Sequence, residues 1–530
     1  VEKSKVIRSA FMVGGFTSMS RVFGLVRDFL TAGFFGTSLA MSSFVVAFTI
    51  PNLFRALFGE GALSSAFVPV FIEARRQDGD EKAWVFARKV ISLVGTTLLV
   101  IVVLGVVAAS VLADRPGLSP KLHLILSLSR IMFPYMLFIC LAALSMGILN
   151  SYHAFALPAS TPSLLNIVWI LFLLFVCPRL GTTLEEKIYG LAWGILTAGV
   201  IQLAVQLPSL MKRGYRPGYT FDPRDPRVMR VFTLMGPAAL GLAVTQVNVM
   251  VNRFLASWIA SWAPAALFYA ERLLYFPQGI LATAMSTVLL PVFAGHAARA
   301  DRAQIRETLN HSLRTLLFVM APASIGLLVL ARPIVQMIYE WGQFTEQSTM
   351  LTARALMFYA PGLFVFCLAK VFVPAFYATQ DTRTPVKVGL MSVALNFTLN
   401  IVFILTLPLY WKHAGLALAM VISEGFNGIT LGRFLHRRLG SPGWMQILAS
   451  AGRATIAAVI MGFCTAAVHA VMFRWGASLG WIPKLNQIAA VLISIGVGMI
   501  VYLLAALLIG SPELRNVMQA LGRKKVTSDQ

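Results

Sequence analysis

Four arginines fall inside apolar stretches long enough to cross a bilayer: Arg21, Arg27, Arg55 and Arg272. An arginine at mid-membrane depth costs roughly 2.5–3.5 kcal/mol on insertion scales, so four facing lipid would cost about 10 kcal/mol or more. They are tolerable where they face a water-filled space inside a helix bundle. A space lined by guanidinium groups suits phosphate or carboxylate, which the planar fork of N–H donors grips in pairs. Polar companions lie close in sequence. Ser20 and Asp28 flank the first two arginines, Asn52 is three residues before Arg55, and Glu271 adjoins Arg272.

Helical geometry sorts these groups. At about 100° per residue, Arg21 and Asp28 share a direction to within roughly 20°, and Arg27 lies about 120° round from Arg21. The adjacent Arg27 and Asp28 have two readings, a buried structural pair or part of a binding surface. Asn52 and Arg55 share a face. Pro51 removes a helix hydrogen bond and invites a kink, and Gly59 and Gly61 on either side of Glu60 permit bending or close approach. Gating hinge and plain packing kink both fit this break. Glu60, five residues from Arg55, is poorly spaced to pair with it on a helix. Glu271 and Arg272 point about 100° apart, so the arginine can face the polar interior while the acid pairs elsewhere. Gly59, Glu60, Gly61 and Glu271 are therefore expected to gate or support, not to bind.

The elements that must position them are membrane-spanning helices. The chain has 530 residues, 58% of them hydrophobic and only 12% charged, with mean hydropathy +0.77. Apolar runs of about 20 residues recur throughout. We read about fourteen spans, near 6–35, 39–72, 84–113, 121–150, 157–178, 186–211, 228–260, 264–295, 303–331, 349–379, 384–409, 411–435, 444–473 and 482–510. The first run is too long for a cleavable signal and has no small-residue cleavage pattern. The fold class expected is an all-α integral membrane protein.

The net charge is +23, which in a soluble chain would suggest nucleic acid. Here most of the Lys and Arg residues fall in the termini and loops of one side, the positive-inside pattern, so no nucleic-acid partner is expected. The N and C termini are then cytoplasmic. The densest clusters, Lys212 to Arg230 and Arg299 to Arg314, serve as orientation signals or as contacts with an anionic leaflet. Cys140, Cys177, Cys367 and Cys464 share no spacing that suggests a disulfide framework or metal motif. The seven histidines form no ligand pair and no nucleophile triad. A Gly-rich loop ending in Gly-Lys-Ser/Thr is absent from the sequence, so no P-loop ATPase is expected. No metal, cofactor or catalytic group is expected, and the chain reads as a transporter.

The longest polar connection, Lys212 to Arg230 with Pro217, Pro223 and Pro226, follows the sixth span. It divides the chain into an N-terminal lobe (1–212), a linker (213–226), a C-terminal lobe (227–438), two added helices (439–512) and a tail (513–530). An internal echo supports two repeats. Arg55, Gly61 and Pro69-Val70-Phe71 in the first half answer to Arg272, Gly279 and Pro291-Val292-Phe293 in the second. In repeat transporters the binding region lies near the midplane between the halves. The last two helices hold no buried acid or lysine, which suits a structural role or a surface for a lipid tail. Asn248 and Asn252, one turn apart, read as polar glue between helices. Arg253, Arg354, Lys370 and Glu424 are further charges in or near the spans.

Several segments together resemble the MurJ/MviN family of lipid II flippases, in the multidrug/oligosaccharidyl-lipid/polysaccharide exporter superfamily. They are Ser20-Arg21-Val22-Phe23-Gly24-Leu25-Val26-Arg27-Asp28, Pro51-Asn52-Leu53-Phe54-Arg55, Glu60-Gly61-Ala62, Tyr269-Ala270-Glu271-Arg272-Leu273 with Phe276-Pro277, and Phe376 to Val386. The resemblance runs over essentially the whole chain. It implies fourteen helices, as two six-helix lobes in a V around a central cationic cavity, with two C-terminal helices shaping a lipid-tail groove. It also implies that Arg21, Arg27, Arg55 and Arg272 line that cavity, with Ser20 and Asp28 beside them. One position departs: many members carry an aspartate where this chain has Ser42. Sodium sites described for some members use acids of the seventh and eleventh helices, and neither run here holds an acid well inside, so sodium coupling is not expected.

The function expected is movement of lipid II from the inner to the outer leaflet of a bacterial cytoplasmic membrane by alternating access, by a monomer driven by the membrane potential. Membrane lipids are the other expected partners. Two alternatives stay open. A cation-coupled exporter of drugs or other polyprenyl-linked oligosaccharides would share the fold, although a positive cavity repels cationic drugs. A membrane glycosyltransferase or scaffold would need a catalytic acid at a membrane face.

Overall fold

The computed structural model describes residues 2–59 and 62–515, and they are helical almost throughout. Two compact units divide the chain. The first comprises Val1–Ala265 with Trp341–Phe344, and the second Ala266–Glu340 with Thr345–Gln530. The linker at 213–226 thus lies inside the first unit, which also takes in the helix that follows it.

The first unit contains α1 (Glu2–Phe35), α2 (Leu39–Phe54), α3 (Ala62–Ala113), α4 (Pro120–Met132), α5 (Tyr135–Ser151), α6 (Ala156–Leu171), α7 (Leu184–Ala204), a short α8 (Leu207–Met211) and α9 (Pro226–Ile259). Side-chain acceptors start many of these helices, satisfying N–H groups that have no partner within the helix. Ser38 accepts from Met41 N. Thr183 and Glu186 form a reciprocal capping box on α7. Asp225 caps α9, with Pro226 in its first turn. The chain reverses between α1 and α2 at Gly36, whose φ of +53° puts it in the left-handed region that glycine tolerates. Within α3, Gly79 (φ 84°) breaks the helix, so the segment before it and the apolar segment after it are separate rods. α1 packs against α6, and α3 against α5 and α9.

The second unit contains α10 (Ala263–Ala298, from residue 266 on), α11 (Arg302–Val329), α12 (Ala331–Tyr339), α13 (Glu346–Tyr359), α14 (Leu363–Ala378), α15 (Arg383–Thr406), α16 (Leu409–Leu439), α17 (Trp444–Ser478) and α18 (Pro483–Leu508). The last two helices are integral to it. Phe318 of α11, Ala457, Ala458 and Met461 of α17 and Tyr502 and Ala506 of α18 form one buried cluster. Tyr502 donates its hydroxyl proton to Phe318 O at 2.6 Å. Gly498 lets α18 approach closely, since a Cβ there would sit 2.5 Å from Thr465 Oγ1.

Twelve helical stretches among the described residues are long and apolar enough to span a membrane. The two remaining long helices, α1 and α10, are those that carry Arg21, Arg27 and Asp28, and Glu271 and Arg272. Twelve spans plus these two reproduce the fourteen runs read from the sequence.

Candidate functional site

In the first unit, one group of candidate residues is built on α1 and α6. Arg27 and Asp28 are 8% and 6% exposed. Arg27 Nε and Nη2 donate to Asp28 Oδ1 at 2.9 and 2.7 Å, and Nη1 donates to Asn166 Oδ1 at 2.9 Å. The guanidinium lies over the Trp169 ring, 4.8 Å from its centroid. Asn166 is held in turn, because its Nδ2 donates to Ser20 O at 3.0 Å. Trp169 Nε1 donates to Thr31 Oγ1 at 3.1 Å, and that hydroxyl donates to Arg27 O at 2.7 Å. A buried charge needs a partner and further hydrogen bonds, and here α6 supplies the second part. Gly24 faces Asn166 without crowding, at 3.8 Å from its Nδ2 for an added Cβ.

Ser20, Arg27 and Asp28 therefore meet through Asn166, a residue the sequence reading missed. The available signal was a polar Asn three residues before Trp169 in an otherwise apolar run, placing both on one helix face. Arg21 differs from Arg27 in exposure. It lies on an exposed face of α1, as its rotation from Arg27 requires. Asp28, expected to share Arg21's direction, turns its carboxylate to Arg27.

The second element is the break after Pro51. α2 gives way to a π turn, Arg55–Gly59, and such turns are frequent at functional sites. Arg55 is half-buried there, and its Nε donates to Asn52 Oδ1 at 2.9 Å. Gly59 closes the π turn, while Glu60 and Gly61 lie outside the described residues. At the start of α2, the Ser42 hydroxyl is fully buried and accepts from Ala265 N at 3.3 Å. Ser42 thereby satisfies a first-turn N–H of α10, a position where a carboxylate would also be favoured by the helix dipole. Asn248 and Asn252 are buried on α9, and Arg253 Nη1 reaches Thr49 Oγ1 at 3.5 Å.

One loop also docks on α1. Trp341 stacks on Phe29, with centroids 4.9 Å apart, and its Nε1 donates to Phe29 O at 3.1 Å. Gln343 N donates to Gly33 O at 2.8 Å. Gly33 is required by this contact, since a Cβ would lie 2.1 Å from the Trp341 ring.

In the second unit, Glu271 is 3% exposed and accepts from the Tyr359 hydroxyl at 3.3 Å. Arg272 is half-buried, with its guanidinium 4.6 Å from the centroid of the Phe268 ring. The neighbouring acid and base thus point to different partners. Further along α10, Gln278 Nε2 donates to Phe366 O at 3.4 Å. Among the described residues, no group of His, Cys, Asp or Glu could hold a metal ion.

A many-span helical bundle with arginines seated by polar side chains within its apolar helices defines a membrane transporter fold. It matches the inward-facing structure of a multidrug resistance MATE family transporter of the MOP superfamily at a TM-score of 0.64 and 14% identity, over 81% of this chain and 98% of that one. The match is greater to a structure of the lipid II flippase MurJ in an inward closed conformation, with a TM-score of 0.77 and 27% identity over 96% of this chain and 100% of that one. The family model "Lipid II flippase MurJ" matches residues 31–481. The lipid II flippase MurJ of Burkholderia cenocepacia is 36% identical over 483 residues, 89% of this chain and 91% of its own. A probable lipid II flippase MurJ of Rhizobium meliloti is 33% identical over 531 residues, 98% of this chain and 96% of its own. The chain belongs to the lipid II flippase MurJ family, and it is a multi-pass membrane transporter.

Proposed function

We propose that this chain moves lipid II across the cytoplasmic membrane of a bacterium, from the inner to the outer leaflet. The observation that carries the reading is a set of arginines held inside apolar helices, in a chain similar to lipid II flippases over nearly its full length. Arg21, Arg55 and Arg272 supply the donors for the diphosphate, with Ser20 and Asn52 beside them. Arg27, bonded to Asp28 and Asn166, sets the wall of the site and the orientation of α1. The arginines are exposed alternately to the two faces of the membrane while the polyprenyl tail stays in lipid along α17 and α18.

The protein acts as a monomer with both termini cytoplasmic, an orientation supported by the distribution of Lys and Arg. An inside-negative potential favours outward movement of an anion by about 2.3 kcal/mol per charge per 100 mV. Collapsing the potential is expected to slow flipping, and replacing sodium is not. The function is tested in cells depleted of this protein and assayed for lipid II on the outer leaflet. Loss of surface lipid II on depletion, restored by this chain, supports the reading. Undiminished surface lipid II would overturn it.

A further inference from the structure

We infer that the linker after α8 is an interfacial anchor that binds anionic phospholipid. The linker, residues 213–226, does not hang free in solvent but runs down the side of α3. The Trp84 indole N–H donates to Arg213 O at 3.0 Å, Thr220 N donates to Ser92 Oγ at 3.0 Å, and the Tyr219 hydroxyl meets Thr96 Oγ1 at 3.2 Å. Each bond lies further along α3 towards its apolar run. Leu99, Val100, Val103 and Leu104 of that run are exposed large hydrophobic residues, the surface that lipid must cover. Thr96 precedes Leu99 by three residues, about 4.5 Å of helix rise. The linker therefore reaches the level at which the lipid-facing surface begins.

At that level it presents two rings. Tyr219 is 71% exposed and Phe221 50% exposed, and they stack with centroids 6.3 Å apart and planes within 9°. Two large rings left uncovered on a pinned loop are costly in water and favourable at a headgroup boundary, where aromatic side chains concentrate. The charge beside them is net positive, with Arg213, Arg216, Arg224 and Lys89 against Asp222 and Asp225. The linker's two acids, Asp222 and Asp225, both accept from Lys89 Nζ, at 2.8 and 2.7 Å. Arg216 and Arg224 are exposed and form no ion pair among the described residues. The rings fit the boundary of the acyl region, and the two guanidinium groups fit phosphodiester oxygens beside it. Charge complementarity selects an anionic phospholipid over a zwitterionic one.

The experiment uses the full-length protein in detergent micelles. Thermal unfolding is followed while dioctanoyl phosphatidylglycerol or dioctanoyl phosphatidylcholine is added. Phosphatidylglycerol should stabilise the wild type at lower concentration than phosphatidylcholine. Each interfacial Lys or Arg is worth about fivefold in affinity, so R216Q/R224Q should need about 30-fold more phosphatidylglycerol for half the effect. Y219S/F221S should weaken the response to both lipids. R433Q/R437Q, which removes two exposed charges elsewhere, should leave the half-effect concentration unchanged. If R216Q/R224Q does not fold, Arg224→Gln alone should give the fivefold shift. The inference fails if the wild type does not distinguish the two lipids, or if removing Arg224 or the arginine pair changes nothing. It fails equally if R433Q/R437Q gives the same shift, or if inorganic phosphate stabilises as well as phosphatidylglycerol.

Discussion

Removing Asp28 should be far more damaging than removing the Arg27–Asp28 pair as a whole. In the folded protein Arg27 is 8% exposed, and its guanidinium makes two hydrogen bonds to Asp28 Oδ1. Asp28→Ala removes the carboxylate from a buried guanidinium that also bonds the Asn166 amide oxygen and lies over the Trp169 ring. Breaking one side of a buried pair costs about 3–5 kcal/mol, whereas replacing both members with apolar residues of similar volume is often neutral or stabilising. The folded-to-unfolded ratio should therefore drop by about two to four powers of ten in D28A and recover in R27M/D28L. The assay is denaturant-induced unfolding in micelles, with D28A, R27A, R27A/D28A and R27M/D28L compared as a cycle. R27M/D28L should be well folded and yet fail to restore surface lipid II, since the wall of the site would be apolar. A D28A protein as stable as wild type would refute the closed pair. A fully active R27M/D28L would refute any part for it in transport.

Three further outcomes follow from individual contacts. Asn166→Ala removes the amide that joins Arg27 to Ser20 O, and should cost about 1–3 kcal/mol for the groups left unsatisfied; the same unfolding assay checks it, and an unchanged midpoint would count against the assigned geometry. Gly33→Ala places a methyl group 2.1 Å from the Trp341 ring, so Trp341 should be displaced from Phe29, and its accessibility to a soluble quencher should rise in a variant retaining Trp341 alone. The third concerns acid. Burial pushes the Asp381 carboxyl up, but the Thr384 hydroxyl and N–H, the Arg438 guanidinium and the Arg383 N–H outweigh it and hold the group below the usual carboxylate range. A depressed folded value means a stabilising contribution that is complete above the unfolded carboxylate range, near pH 4, and is lost as pH falls through the folded value. Asp381→Asn should therefore flatten the acid limb of the stability curve; an unchanged limb would contradict the assignment.

Much of the fold was legible because the bilayer imposes long apolar runs. The boundaries read near 121–150 and 444–473 correspond to spans at Pro120–Ser151 and Trp444–Ser478. The gap read between 72 and 84 contains the Gly79 break in α3, but hydropathy could not foresee that the chain after Pro51 takes a π turn, since that depends on what packs around one or two residues. The arginines stood out because their burial in an apolar helix needs an explanation. Their partners did not: Asn166 lies 139 residues from Arg27, and only tertiary packing of α6 on α1 brings them together. The linker illustrates the opposite case. Its charge was plain in the sequence, but its attachment along α3 through Ser92 and Thr96 was not, and that attachment carries the lipid-anchor inference. Ser42 stood out only as a departure from the family's aspartate, and its bond to the start of α10 gives it a role of its own.

The central claim is that guanidinium groups hold the diphosphate of the substrate, and binding to the purified protein in nanodiscs tests it most directly. Lipid II and undecaprenol, which has the tail without the diphosphate, would be titrated against wild type and R21Q/R55Q/R272Q. Wild type should prefer lipid II by at least about a hundredfold, as two or more charge-assisted contacts at about 1.5–3 kcal/mol each imply, and the triple variant should lose most of that preference. Equal preference in both proteins would contradict the account.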